Sequence, residues 1–184
     1  MRKYTAILLI VFGLFLLADP FYFYARGMLR QFQLRQVWAA SLDSGKQSVG
    51  KYASQGTPVA RLMIPALDMD NIVLQGTDKE TLALGPGLTA SSVVPGEFGN
   101  VVIAGHRDSF FQALQFIRKG DAIALETAMG TKYYTVYLTD VIEPYDTEWT
   151  EQTGDAYITL ITCYPFEYIG PAPLRFVIRG QQAE

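Results

Sequence analysis

Short runs of β-branched and aromatic residues, separated by turn signals, fill the chain from Ala60 onward. Runs of this length and composition suit strands better than helices. We predict strands over residues 60–64, 71–75, 101–104, 122–126, 132–141, 157–163 and 174–180. Only short helices fit between them, at a capping box over residues 77–80 and at the apolar residues Phe110, Phe111, Leu114 and Ile117. The pattern therefore predicts an all-β barrel or sandwich.

The first residues form an apolar leader with a basic start. Arg2 and Lys3 precede an apolar run over residues 4–18, and residues 21–24 continue it after an Asp-Pro interruption. The uninterrupted run is shorter than the roughly 20 residues that span a bilayer as a helix. A cleaved signal peptide is one reading. We favour an uncleaved signal-anchor helix over residues 1–25, with one pass through the cytoplasmic membrane and the remaining chain on the extracytoplasmic side.

A juxtamembrane segment, residues 26–58, connects the leader to the strand-rich domain, residues 59–184. Residues 43–58 are rich in Ser, Gly, Lys and Gln and predict a linker. Before the linker, the spacing predicts a helix over residues 26–42, with an inner face formed by Leu34, Val37, Trp38 and Ser41. Two roles stay open for this helix. In the first, it is a basic helix that lies on the membrane or docks on the domain. In the second, it only continues the anchor as a stalk.

Charge is divided unevenly along the chain. Residues 1–58 contain seven Lys/Arg and two Asp/Glu, a net charge of +5, whereas residues 59–184 contain eight and sixteen, a net charge of -8. Nucleic-acid binding depends on cationic contacts with phosphate, so the acidic domain argues against a nucleic-acid partner. The basic leader suits the surface of the cytoplasmic membrane.

The chain has one cysteine, Cys163, and one histidine, His106, and each follows a predicted strand. A thiol becomes a strong nucleophile as thiolate, which requires a base or a cation nearby. Strands of one barrel can bring both residues to the same rim, although a lone buried cysteine and a structural histidine are common alternatives. An internal disulfide is impossible with one cysteine. We expect no metal centre, because catalytic zinc usually has three protein ligands.

The last predicted strand carries two arginines, Arg175 and Arg179. They share one face of the strand, because side chains alternate with a period of two, and they lie about 13 Å apart. A hairpin that joins the cysteine strand to this strand brings Cys163 closer to Arg175. We therefore predict that Arg175 stabilises an oxyanion or holds a substrate, and that Arg179 is a solvent-facing charge.

Three segments together resemble the sortase family. The segment Thr159-Leu-Ile-Thr-Cys163 is similar to its Thr-Leu-x-Thr-Cys motif, and Ile103-Ala-Gly-His106 is similar to the strand that bears its catalytic histidine. Arg175, in Pro173-Leu-Arg-Phe-Val-Ile178, matches its catalytic arginine. The resemblance covers residues 59–180. The residues after His106 and Cys163 resemble class D and the related sortases of Gram-negative bacteria.

This resemblance implies an eight-stranded sortase-type β-barrel with short helices behind the N-terminal membrane-anchor helix. It also implies a cysteine transpeptidase that recognises a Leu-Pro-x-Thr-Gly-like signal near the C-terminus of an exported protein. Cys163 would attack the carbonyl after the threonine, His106 would exchange protons with the amines, and Arg175 would stabilise the oxyanion. The acceptor would be the amine of a cell-wall precursor or of another protein.

The loops on both sides of the cysteine strand, residues 143–156 and 164–173, are expected to form the groove for the sorting signal. The candidate substrate contacts are Thr162, Trp149, Tyr164 and Phe166. The last three can equally be aromatic residues that close the end of the barrel. Some sortases bind calcium, and Glu143, Asp146, Glu148, Glu151 and Asp155 offer oxygens. Their spacing is not that of an EF-hand, and we expect no cofactor.

Two other functions fit the same residues. A cysteine peptidase would use the same nucleophile but would hydrolyse the thioacyl intermediate with water. A surface β-barrel module would keep the fold without catalysis.

Overall fold

The computed structural model describes residues 3–4, 12–13, 29–42, 53–152 and 154–183. Within them, eight strands close into a barrel. The strands are β1 (Pro58–Ile64), β2 (Met69–Gln75), β3 (Gly87–Leu88), β4 (Asn100–Ala104), β5 (Ala122–Thr127), β6 (Gly130–Ile142), β7 (Tyr157–Tyr164) and β8 (Leu174–Gln182). The helices are α1 (residues 29–42), α2 (Lys79–Leu82) and the 3₁₀ helices Pro65–Leu67, Gln112–Phe116 and Glu148–Thr150.

The barrel order is β1-β2-β3-β4-β7-β8-β6-β5. Most neighbours are antiparallel, but β2–β3 and β4–β7 are parallel. The expected eight-stranded barrel with few helices is confirmed. The sequence pattern missed β3, because two residues are too few to show an alternation of apolar and polar side chains.

Alternating side chains fill the barrel interior. Ile103, Leu160 and Ile178 are fully buried in the core. Burial also raises the pKa of Tyr134 to about 12, because the phenolate would lose its hydration. Before β5, the 3₁₀ helix Gln112–Phe116 and its neighbours close the core with Phe111, Leu114 and Ile117. The predicted apolar cover at these positions is therefore confirmed.

Helix α1 packs on the outer face of β2. Trp38 is 3% exposed and forms a small apolar cluster with Ile72 and Leu74. The indole Nε1–H donates to Glu126 Oε1 at 2.5 Å. The described part of this helix is therefore docked on the domain, one of the roles left open by the sequence.

The buried side chain of Gln31 in α1 pairs with backbone groups of β2 at a position where no neighbouring strand does so. Because β3 pairs with β2 only at Leu74 and Gln75, Ile72 has no strand partner on that side. Gln31 Oε1 accepts from Ile72 N at 2.8 Å, and Gln31 Nε2 donates to Ile72 O at 3.3 Å and to Leu84 O at 2.9 Å. The amide thus satisfies backbone groups that a buried sheet edge would otherwise leave unpaired.

Ion pairs reinforce this docking. Arg61 binds Asp70 through Nε and Nη2, at 2.8 and 2.9 Å, and Arg35 of α1 lies 3.4 Å from the same carboxylate. The Arg61 hydrogen bond holds the pKa of Asp70 below its ordinary value, so the carboxylate stays charged. Arg35 also donates to the backbone oxygen of Asp70.

Two local predictions were wrong. Val37 was predicted to lie on the inner face of α1, but its side chain is 56% exposed. The buried face of the helix instead carries Gln31, which is 5% exposed. A polar residue holds that position because β2 offers backbone groups there. The cap of α2 is Asp78 rather than Thr77, because the Asp78 carboxylate accepts from Thr81 N at 3.0 Å.

The anchor predicted for residues 1–25 lies almost wholly outside the described residues. Among the residues that the structure describes, no helix combines the length and apolar character needed to cross a membrane. The linker predicted at residues 43–58 is described only from residue 53.

Trp38→Ala should release α1 from the barrel. The change removes a buried indole and its hydrogen bond, and we expect it to weaken the docking by about 3 kcal/mol. Amide hydrogen exchange at residues 29–42 would then become faster, while exchange in β7 would stay slow. Val37→Ala is the matched control and should change exchange little, because the side chain is exposed. Equal exchange rates in the two variants would contradict this docking.

Candidate active site

Parallel pairing of β4 and β7 brings the histidine beside the cysteine. The register runs from Asn100 opposite Tyr157 to Ala104 opposite Ile161. Gly105 N still donates to Ile161 O at 3.1 Å beyond the last pair. β4 ends at Ala104, but if its register continues for two more residues, His106 comes opposite Cys163 on a neighbouring chain, at a spacing of about 4.8 Å.

The hairpin of β7 and β8 places the arginine on the other side of the cysteine. Cys163 pairs directly with Arg175. Since Leu160 and Ile178 point into the core, alternation puts Cys163 and Arg175 on the outer face of the sheet. The thiol and Arg175 are half-buried, and His106 is exposed. All three predicted catalytic residues are thus brought together, in the order His106, Cys163, Arg175 across three strands.

The backbone before His106 is held from several sides. Thr162 Oγ1 donates to Gly105 O at 2.7 Å, and Phe111 N donates to His106 O at 3.0 Å. The Phe111 ring packs on Gly105 so closely that a Cβ there would lie 2.7 Å from it. Only glycine fits this position. His106 therefore projects from a tightly packed turn.

A thiol between an imidazole and a guanidinium has the parts needed for acyl transfer. The imidazole can exchange a proton with an amine, and the guanidinium can donate hydrogen bonds to a developing oxyanion. Both Arg175 bonds leave from Nη1, to Leu174 O at 2.9 Å and to Ala172 O at 3.3 Å. The guanidinium carries donors on two further nitrogens.

Sequence comparison agrees with this arrangement. A family model described as the sortase domain matches residues 62–183. Sortase D of Bacillus subtilis (strain 168) is 33% identical over 143 residues, which cover 77% of this chain and 72% of that protein. This chain belongs to the sortase family.

Solved structures share the fold. A Clostridium perfringens sortase D5 transpeptidase aligns with a TM-score of 0.71 and 18% identity, covering 87% of this chain and 99% of its own. Sortase C from Clostridium perfringens, solved with the C-terminal cell wall sorting motif, aligns with a TM-score of 0.65 and 20% identity, covering 84% of this chain and 88% of its own. The predicted resemblance to sortases, including class D, is confirmed, and the protein is a cysteine transpeptidase.

Arg179 of this sortase is not the solvent-facing charge that the sequence predicted. Its guanidinium lies 4.6 Å from the ring centre of Trp149 and 5.7 Å from that of Tyr157. It also donates to Trp149 O at 3.0 Å, and its Nε is buried. The loop between β6 and β7 folds back over the outer face and covers this arginine.

The side chain of Asn100, which the sequence analysis missed, holds the same loop with the help of Thr159 and Gln152. Asn100 Nδ2 donates to Trp149 O and Glu151 O, both at 3.0 Å, and Thr159 Oγ1 donates to Asn100 Oδ1 at 2.7 Å. Gln152 Oε1 accepts from Asn100 N at 3.0 Å. The sequence signal that could have identified it was an asparagine at the start of an apolar strand, because a buried side-chain amide needs hydrogen-bond partners.

Trp149 lies at the far end of the outer face from the thiol. It contacts Arg179, which pairs with Thr159, whereas Cys163 pairs with Arg175. Four residues of strand separate the two positions, about 13 Å. The structure therefore does not bring Trp149 to the catalytic residues, but places it on the same face.

The aromatic residues after the cysteine cluster with β8. Tyr164 stacks on Phe176 with 6.3 Å between ring centres, and Phe166 meets Phe176 edge-on at 5.4 Å. Phe166 and Phe176 pack against the core. Thr162 is buried, and its hydroxyl is engaged by Gly105. Contacts of Thr162, Tyr164 and Phe166 with substrate stay predictions.

A second arginine missed by the sequence analysis holds the other loop. Arg107 Nη2 donates to Tyr168 O at 2.7 Å and to Gly170 O at 3.1 Å, and its guanidinium lies 5.9 Å from the Tyr168 ring centre. These contacts tie the loop between β7 and β8 to the residue next to His106. The position beside the only histidine was the signal that could have identified it.

The acidic loop residues considered for calcium do not converge. In the described part of the chain, no three His, Cys, Asp or Glu side chains lie close enough together to hold a metal ion.

Arg107→Ala should loosen the loop between β7 and β8 and slow the enzyme. Loss of two charge-assisted bonds to carbonyls should cost about 1–2 kcal/mol, or roughly 5- to 30-fold in kcat/KM. Faster hydrogen exchange at residues 165–173 would report the loosening. Arg118→Ala removes an exposed arginine elsewhere and should change neither quantity. Unchanged exchange in Arg107→Ala would argue against the clamp.

Proposed function

We propose that this sortase cleaves a Leu-Pro-x-Thr-Gly-like sorting signal of an exported protein and transfers the acyl group to an amine at the cell surface. The observation that carries the proposal is the row of His106, Cys163 and Arg175 on the outer face. Family membership supports transpeptidation as the reaction class.

The first half-reaction forms a thioacyl-enzyme. The Cys163 thiolate attacks the carbonyl carbon after the threonine, and a C–S bond forms. Arg175 donates hydrogen bonds to the tetrahedral oxyanion. The C–N bond then breaks, and the His106 imidazolium donates a proton to the departing amine.

The second half-reaction returns the enzyme to its starting state. The acceptor amine attacks the thioester carbonyl and loses a proton to the His106 imidazole, which becomes imidazolium again. A C–N bond forms, the C–S bond breaks, and the thiolate is regenerated. Arg175 stabilises the second oxyanion as it did the first.

The length of the outer face supports an extended peptide donor. Trp149 covers Arg179, which pairs with Thr159, and Thr159 lies four strand residues from Cys163, roughly 13 Å. The leucine and threonine of an extended Leu-Pro-x-Thr segment are three residues apart, about 10 Å, which is a similar length. A Leu-Pro-x-Thr segment laid along the face would put its threonine at Cys163 and its leucine near Trp149. The Clostridium perfringens sortase C solved with the C-terminal cell wall sorting motif supports this class of donor.

We also propose that residues 1–25 hold the enzyme in the cytoplasmic membrane, with the catalytic domain on the extracytoplasmic side. The apolar leader, its basic start and the basic charge of residues 1–58 support this placement. Docking of α1 would then fix the barrel close to the membrane surface.

A cysteine peptidase is the second candidate, because water can resolve the same thioester. The exposed position of His106 favours hydrolysis, since water can reach the imidazole that would act as the base. Product masses with and without an added amine distinguish the two. The reading as a non-catalytic module has no support from the family assignment.

Cys163→Ala and Arg175→Ala should both abolish ligation of a sorting-signal peptide to an amine. The first variant lacks the nucleophile. The second leaves the oxyanion without its cation, which typically costs about 10²–10³ in kcat. Ligation is followed by mass spectrometry, and circular dichroism checks the fold. Full activity in Cys163→Ala would refute the proposal.

Arg179→Ala should weaken donor binding more than it slows the chemical step. The arginine holds Trp149 far from the thiol, so its loss should raise KM for the signal peptide about 5-fold and change kcat little. Arg179→Lys should restore part of the binding, since it keeps the charge. A fall in kcat with no change in KM would contradict this role.

A further inference from the structure

A cavity of about 680 Å³ lies between helix α1 and the segment that begins with His106. Its walls come from α1, the turn between β1 and β2, the end of α2 and residues 106–113. Cavities of this size accept small ligands. His106 is the one member of the catalytic row that lines it.

The strand order separates this cavity from the face proposed for the donor. The barrel runs β2-β3-β4-β7-β8, so His106 at the end of β4 lies between the two. Cys163, Arg175 and Trp149 belong to the β7–β8 side, whereas α1 covers the β2 side. A substrate in the cavity would reach His106 without displacing a peptide on the outer face.

We propose that the cavity binds the acceptor, a primary amine carried on a peptide stem. This inference rests on the proposed transpeptidation. The second half-reaction needs the amine to meet the imidazole while the donor acyl group occupies Cys163. His106 lines the cavity, and the strand order puts the cavity on the side that the donor leaves free.

The lining suits a cationic amine with an apolar stem. Asp68 is exposed at the turn between β1 and β2, and among the described residues it belongs to no ion pair. Its neighbour Asp70 is neutralised by Arg35 and Arg61. Asp68 is thus the lining carboxylate that can attract an ammonium group, while Phe32 and Phe110 offer apolar surface to the stem.

Filling the cavity tests the proposal. Ala113 lines it from the 3₁₀ helix Gln112–Phe116, and Gln115 of the same helix is exposed and does not line it. Ala113→Trp should raise KM for triglycine amide at least 10-fold and shift the products from ligation toward hydrolysis. Formation of the thioacyl-enzyme from the signal peptide should stay within 2-fold of the native rate. Gln115→Trp, the matched control, should behave as native enzyme.

A charge change gives an independent test that preserves the backbone. Asp68 has φ +50°, a left-handed conformation that asparagine also tolerates. Asp68→Asn should raise KM for triglycine amide about 2- to 5-fold at low salt, and less at high salt. Glu97→Gln, an exposed carboxylate before β4, should change nothing.

Measuring thioacyl formation and ligation separately distinguishes a failure of the acceptor site from a failure of the proposed function. Native KM for triglycine amide in both Ala113→Trp and Asp68→Asn would overturn the acceptor site. Equal slowing of thioacyl formation and ligation would also overturn it, because the effect would then not belong to the acceptor. Failure of the native enzyme to form a thioacyl-enzyme with the signal peptide would instead refute the proposed function itself.

Discussion

The parallel pairing of β4 and β7 is the constraint on which the site depends. Parallel strands end at the same edge of a sheet, so His106 and Cys163 emerge side by side although the chain between them is long. The antiparallel β7–β8 hairpin then adds Arg175 directly opposite the thiol. Two kinds of strand pairing thus bring a thiol, an imidazole and a guanidinium to one face.

The crossover between β4 and β7 also builds the surroundings of the site. Its last part, the loop between β6 and β7, returns over the outer face and is held by Arg179 and Asn100. The loop after β7 is held by Arg107, next to the histidine. Arginine suits both positions, because its planar guanidinium stacks on aromatic rings while it donates to carbonyl groups. The residues that hold the two loops therefore lie close in sequence to His106 and Arg175.

Much of the fold could be predicted from local patterns, and the failures have physical causes. Seven strands and the apolar cover at Phe111 and Leu114 follow from side-chain periodicity. The strand β3 was missed because two residues show no period. Val37 was placed on the buried face of α1 because apolar residues normally fill such faces, yet Gln31 is buried there to satisfy β2. In the site, alternation correctly put Arg175 and Arg179 on one face but could not show what covers Arg179.

The sequence by itself determined the chemistry available to this sortase. One thiol, one imidazole and an arginine on the closing strand limit the catalytic groups, and the motifs around them identify the family. Only the tertiary structure decided which surfaces meet these groups. Helix α1 bounds a cavity beside His106, and the loop after β6 buries Arg179 against Trp149. Such contacts join residues far apart in the chain, and local propensity contains no information about that packing.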